Sequence, residues 1–259
     1  MKEKPSSDTP LLPEEDLVLI STASHIQGID RLKFGAFLVM SVVILAAYLS
    51  VNYVFYPGYP VTTPKAEQDA VFAEHYPPFR MDEWTNYSIT RDILDGKLSS
   101  RDSFARKHPI GFAALSVPLT AFWGKAGPYF TNAFVLWASA LTFFFIALRI
   151  VSFPVAVGAT FFLALATPNM FYSASAFAEP LGQLFMLMGL FLFLRGKNAR
   201  RQWMLFSAAG FSIGLTLFVQ PVLAGIMVPF VIHFSRENNW HIWQSVEARA
   251  LIGGFMLPF

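Results

Sequence analysis

The run FGAFLVMSVVILAAYLSVNYVFY, residues 34–56, has no charged side chain and decides the class of fold. At about 23 residues it is long enough for a helix to cross the roughly 30 Å hydrocarbon core of a bilayer. The apolar core of a cleaved secretory signal is shorter and lies nearer the amino terminus. We therefore predict a retained first transmembrane helix at residues 34–56. Residues 1–33, polar and proline-containing, are expected to form a disordered cytoplasmic tail.

Composition extends this prediction to the rest of the chain. Hydrophobic residues make up 54% and charged residues 14%, against roughly 25% charged residues in soluble domains. Further apolar runs occur at residues 129–151, 154–170, 181–194, 203–219 and 222–234. We predict an all-α integral membrane protein, a polytopic bundle of transmembrane helices over 129–259, with juxtamembrane helices in one outer loop at 57–128. The absence of cysteine excludes disulfides and thiolate chemistry.

The basic residues predict the orientation. Arg195, Lys197, Arg200 and Arg201 form the densest basic run, which the positive-inside bias assigns to the cytoplasm. Counting spans backwards then puts Arg149 and the amino terminus inside, and the 57–128 loop and Glu179 outside. This multi-pass topology requires residues 109–123, about 15 residues containing a proline, to be re-entrant or interfacial. If that run spans, the loop and Glu179 fall on opposite faces.

The last apolar run, residues 251–259, is too short to cross a bilayer. We therefore expect the chain to be the amino-terminal portion of a longer protein, truncated at its carboxyl end. A partner subunit that completes the missing helices is the other possibility.

Asp82 and Glu83 are the most suggestive residues in the outer loop. The spacing of Trp84, Tyr87, Ile89, Ile93 and Leu94 predicts a surface helix over residues 83–94 that ends near Gly96. Asp82 then lies at or just before the first turn. It either caps backbone N–H groups there or acts as a general base at the membrane edge.

Two further groups have both a structural and a functional interpretation. Glu179 precedes Pro180 at a predicted helix start, where it is either an interfacial acid favoured by the helix dipole or part of a wet site. Arg106, Lys107 and His108 either hold lipid phosphates or bind the phosphate of a lipid-linked substrate.

Other classes of site have little support in the sequence. A divalent cation could bind the outer acids, although their spacing is not diagnostic. No glycine-rich phosphate loop, histidine pair or nucleophile elbow is present, and the basic run 195–201 is interpreted as a topology signal and not as a nucleic-acid site.

Three motifs in this order resemble the GT-C superfamily of polytopic glycosyltransferases, which includes protein O-mannosyltransferases and lipid A aminoarabinose transferases. The first is MDEWTNY at residues 81–87, followed by Arg91 and by Asp95-Gly96. The second is KHPIG at residues 107–111, and the third is SAFAEPL at residues 175–181. The resemblance covers about residues 34–234.

The resemblance implies transfer of a sugar from a polyprenyl-phosphate-linked donor to an acceptor on the outer face of a membrane. Asp82 would be the base, and Glu83 and Glu179 would shape or polarise the site. Lys107, with Arg106 or His108, would meet the donor phosphate, and Tyr87 would contact substrate. The alternative from another class is a non-catalytic membrane protein that binds or transports a lipid-linked substrate.

Overall fold

The computed structural model describes residues 31–55, 81–97, 109–197, 201–219, 229, 232, 235–236 and 245–258. Within these residues the regular structure is helical, without strands, as predicted. The helices are α1 (Arg31–Phe55), α2 (Met81–Leu94), α3 (Gly111–Trp123), α4 (Gly127–Ala147), α5 (Phe153–Leu165), α6 (Asn169–Ser173), α7 (Glu179–Gly196), α8 (Gln202–Val219) and α9 (Val246–Met256). The chain divides into two compact units, residues 1–39 and 40–259; the start of α1 belongs to the first, and the packing described below belongs to the second.

Two helical stretches in the described part of the chain are long and apolar enough to cross a membrane. They are Arg31–Asn52, within α1, and Gly111–Ala147, which covers α3 and α4. The first coincides with the transmembrane helix predicted at residues 34–56. Shorter apolar helices, Phe153–Leu165 and Gln202–Leu217, coincide with two of the other predicted spans. The predicted span at 222–234 falls almost wholly outside the described residues.

Gly124 divides the second stretch into two helices. Its φ of 54° lies in the left-handed region that favours glycine. A 3₁₀ turn, Gly124–Ala126, then leads into α4. With 13 residues, α3 is about 20 Å long, shorter than the hydrocarbon core. The two helices therefore pack against each other as separate elements.

The helix predicted at residues 83–94 is present as α2, which begins at Met81 and ends at Leu94. Its carboxyl end is a Schellman turn, in which Gly96 has a φ of 69° and Lys97 N–H donates to Asp92 O at 2.7 Å. One detail differs from the prediction. Trp84 is 49% exposed, because polar Glu83, Asn86 and Thr90 share the buried face with Tyr87 and Ile89.

α4 and α7 run in the same direction. At their carboxyl ends Arg149 Nη1 donates to Leu194 O at 3.1 Å, and the guanidinium lies over the Phe191 ring. Arg195, the residue after Leu194, is close enough to act electrostatically on the Arg149 guanidinium. Two of the basic sites predicted to share one face thus lie at one end of the helix pair, which we call the basic end.

Glycines bring α8 and α9 into close contact. A Cβ atom at Gly210 would collide with Leu251 O, and one at Gly254 would collide with Ser207 O. At neighbouring Gly253 a Cβ atom would meet nothing within 4 Å. α9 begins at Val246, earlier than the apolar run that starts at residue 251, because Ser245 accepts a hydrogen bond from Ala248 N–H as an N-cap.

Candidate functional site

Side chains hold the backbone of residues 174–178, the site loop, between α6 and α7. The Glu83 carboxylate accepts a hydrogen bond from Ala176 N–H at 3.2 Å. One turn further along α2, Asn86 Nδ2 donates to Ala176 O at 2.8 Å. Ala176 is fully buried, so its backbone groups would carry a desolvation cost without these partners.

Two more asparagines bind the same region. From α4, Asn132 Nδ2 donates to Ser175 O at 2.7 Å and to Phe177 O at 2.9 Å. From α1, Asn52 Nδ2 donates to Ser173 O at 2.7 Å. Both asparagines are completely buried. Helices α1, α2 and α4 therefore all contribute to fixing the chain that leads into α7.

A half-open cavity of about 140 Å³ lies beside the site loop. Its lining comprises Asp82, Thr85, Asn86, Pro109, Ala178, Glu179 and Val219. The volume is below the roughly 300–1,000 Å³ of sites for drug-sized ligands. Val219 also belongs to the apolar cluster formed with Phe112, Tyr129, Val135, Ala176 and Leu181.

Two carboxylates predicted as site residues meet at this cavity. Asp82 is in the first turn of α2, and Glu179 is the first residue of α7. Helix amino termini favour negative charge because of their exposed N–H groups and the helix dipole. For the Asp82 carboxylate, no hydrogen-bond or ion-pair partner occurs among the described residues. The capping bond considered for Asp82 is therefore not formed within this part of the chain.

Other predicted site residues lie elsewhere. Glu83 is buried against the site loop and does not line the cavity. Tyr87 is 5% exposed, and its hydroxyl accepts a hydrogen bond from Arg91 Nη1 at 3.2 Å. It also lies outside the cavity lining. Arg106, Lys107 and His108 fall outside the described residues, but Pro109, which follows them directly, lines the cavity.

Asn86 and Asn132 were not found by sequence reasoning. For Asn132 the available signal was an amide side chain inside the apolar helix α4, where a polar group needs a buried partner. Within the described ranges no cluster of three or more histidine, aspartate and glutamate side chains is placed to hold a metal ion.

No protein-family model, curated protein or solved structure matches the chain. The interpretation of the cavity therefore depends on its residues and their geometry.

Proposed function

We propose that this chain is a multi-pass membrane glycosyltransferase of the GT-C type. In this proposal it takes a sugar from a polyprenyl-phosphate-linked donor at the outer face of the membrane. The observation that carries the proposal is the composition of the cavity wall. Each of the three motifs contributes to it: Asp82 from the first, Pro109 from the second and Glu179 from the third. Their meeting supports a shared function for motifs that lie far apart in the sequence.

The arrangement of the helices supports the orientation. The cavity adjoins the amino-terminal end of α7, whereas Arg149 and Arg195 lie at the basic end. With the basic end in the cytoplasm, the cavity opens on the outer side. Exposed apolar side chains on three helices support burial in lipid, because soluble proteins rarely expose large apolar patches. Examples are Val42 on α1, Phe122 on α3 and Phe162 on α5.

Asp82 acts as the general base in the proposed reaction. It accepts the proton of an acceptor hydroxyl while the hydroxyl oxygen forms a bond to the anomeric carbon of the donor. The bond between that carbon and the phosphate oxygen breaks, and its electron pair leaves with the polyprenyl phosphate. Glu179 polarises the sugar or the acceptor within the cavity. The basic residues that precede Pro109 stabilise the departing phosphate.

The experiment is sugar transfer by the Asp82→Asn variant, measured in membranes with a radiolabelled polyprenyl-phosphate sugar. Loss of a general base predicts a fall of about 10²–10⁴-fold. Asp95→Asn is the matched control, because Asp95 is an exposed carboxylate at the other end of α2, paired with Lys97 at 3.6 Å. This control is expected to keep its activity.

Donor binding, measured separately, distinguishes the two classes of function. Lost transfer with retained binding supports the enzyme. If Asp82→Asn transfers sugar normally, the base assignment is wrong. A wild-type chain that binds the donor without transfer would instead favour the non-catalytic lipid-binding alternative.

A further inference from the structure

Asn132 binds two carbonyl groups that flank one residue of the site loop. Its Nδ2 atom donates to Ser175 O and to Phe177 O, at 2.7 and 2.9 Å. Both partners are acceptors only, so the nitrogen of the amide must face the loop. The Asn132 side chain is completely buried in α4, among helices that are otherwise largely apolar. A hydrophobic residue could not make either bond.

The bound segment continues directly into the cavity wall. Ala178 follows Phe177 and lines the cavity, and Glu179 is the next residue. A shift of the Phe177 carbonyl therefore moves the backbone that carries Glu179. Glu179 also begins α7, so its position depends on how the preceding loop enters the helix.

We propose that Asn132 is a positioning residue, which holds the site loop so that Glu179 lies in the cavity lined by Asp82. This inference rests on the proposed function for its catalytic consequence. The structural part, that one amide in α4 fixes the loop locally, is measurable without any transfer reaction.

Thiol labelling tests the structural part, because the chain contains no cysteine. Ser175→Cys places a near-isosteric reporter in the site loop, where Ser175 is 2% exposed. A second, separate reporter, Ala209→Cys, is buried in the cluster between α8 and α9. Each is combined with Asn132→Ala and treated with a water-soluble thiol reagent in the purified 259-residue chain. Ser139→Ala is the matched control, since the Ser139 hydroxyl is buried on the same helix but bonds only to Val135 O of α4.

We expect Asn132→Ala to speed labelling at Ser175→Cys at least tenfold and to leave Ala209→Cys unchanged. Ser139→Ala is expected to change neither rate. An unchanged rate at Ser175→Cys would overturn the proposal. Equal acceleration at both reporters would also overturn it, because Asn132 would then hold the whole bundle and not the loop.

A double-mutant cycle tests the catalytic part. If Asn132 acts through Glu179, the Asn132→Ala/Glu179→Gln double variant transfers sugar no more slowly than Glu179→Gln alone. If the double variant instead lost transfer activity by the product of the two single-variant factors, Asn132 would not act through Glu179. Failure of the proposed function gives a different result: either Asp82→Asn retains full sugar transfer, or the wild-type chain transfers no sugar. In both cases the thiol-labelling rates still decide whether Asn132 holds the loop.

Discussion

Asn86 donates its side-chain amide to the carbonyl oxygen of Ala176 at 2.8 Å, and Glu83, three residues earlier on α2, accepts the N–H of the same residue. Both polar groups of one buried residue are therefore bound by side chains from a single helix face. Asn86 also lines the cavity, so this contact connects the packing of α2 to the geometry of the site.

Replacing Asn86 by alanine is expected to lower the free energy of unfolding by about 1–3 kcal/mol, because the Ala176 carbonyl is left buried without its donor. Thermal unfolding in detergent measures the change. Ser88→Ala is the matched control on the same helix; Ser88 is only partly buried, and no hydrogen bond of its hydroxyl occurs within the described residues. If both variants had similar thermal unfolding midpoints, the hydrogen bond between Asn86 and Ala176 would contribute little to stability.

The α8–α9 contact predicts opposite results at adjacent glycines. Gly254→Ala should destabilise the protein by about 1–3 kcal/mol, since the added methyl group meets the Ser207 backbone and the helices must separate. Gly253→Ala has open space and should stabilise α9 by up to about 1 kcal/mol.

Thermal unfolding of the two variants under identical detergent conditions makes the comparison. The idea that glycine permits this close helix contact fails if Gly254→Ala unfolds at the wild-type temperature.

The proposed topology predicts the labelling of single cysteines in intact cells. Lys97→Cys is in the predicted outer loop, residues 57–128, and its native side chain is 64% exposed. Ile150→Cys is at the basic end, where Ile150 is 74% exposed. An impermeant thiol reagent should label only Lys97→Cys, and permeabilisation should expose the other site. Labelling of both cysteines before permeabilisation would show that the two sites do not lie on opposite faces of the membrane.

The start of α9 should respond to pH. The Ser245 hydroxyl donates to Glu247 Oε2 at 2.7 Å, and this bond, followed by a backbone hydrogen bond, lowers the pKa of Glu247 below its ordinary value of 4.5. A lowered pKa in the folded state contributes stability above the ordinary pKa. That contribution is lost as the pH falls through the lowered value.

Ser245→Ala should therefore cost about 1 kcal/mol at neutral pH, since it also removes the N-cap of α9. The difference from wild type should narrow below pH 4.5. Unfolding curves recorded across this range provide the measurement. If the difference in unfolding free energy between Ser245→Ala and wild type were the same at every pH, the whole effect would come from the lost N-cap and none from Glu247.

The sequence predicted the helical class because long apolar runs have a length that can be compared directly with bilayer thickness. The end of α2 was also predictable, since Gly96 takes a backbone conformation that other residues seldom adopt. Asp82 and Glu179 were selected because each is a carboxylate at a predicted helix start on the outer side of the membrane. Their meeting at one cavity is a tertiary relationship that no local pattern contains.

The roles of Glu83 and Tyr87 required the structure. Neighbouring residues on a helix differ by about 100° in direction; here Asp82 lines the cavity, whereas Glu83 is buried against the site loop. The sequence pair did not indicate which of the two would be buried. The hydrogen-bond partners of Asn132 were likewise not predictable from the sequence, because an amide can bind any backbone group that tertiary folding brings to it.

The side chains around Ala176 perform the task that an adjacent β-strand performs in a sheet. Asn132, Glu83 and Asn86 satisfy successive polar groups of an irregular segment, so that this segment does not depend on water for its hydrogen bonds. Non-helical backbone at membrane depth is tolerated only where it is buried in protein or lines a wet cavity. The same contacts would therefore allow the entrance to α7 to lie below the level of the lipid headgroups, the depth at which the lipid-linked donor of the proposed reaction would present its phosphate.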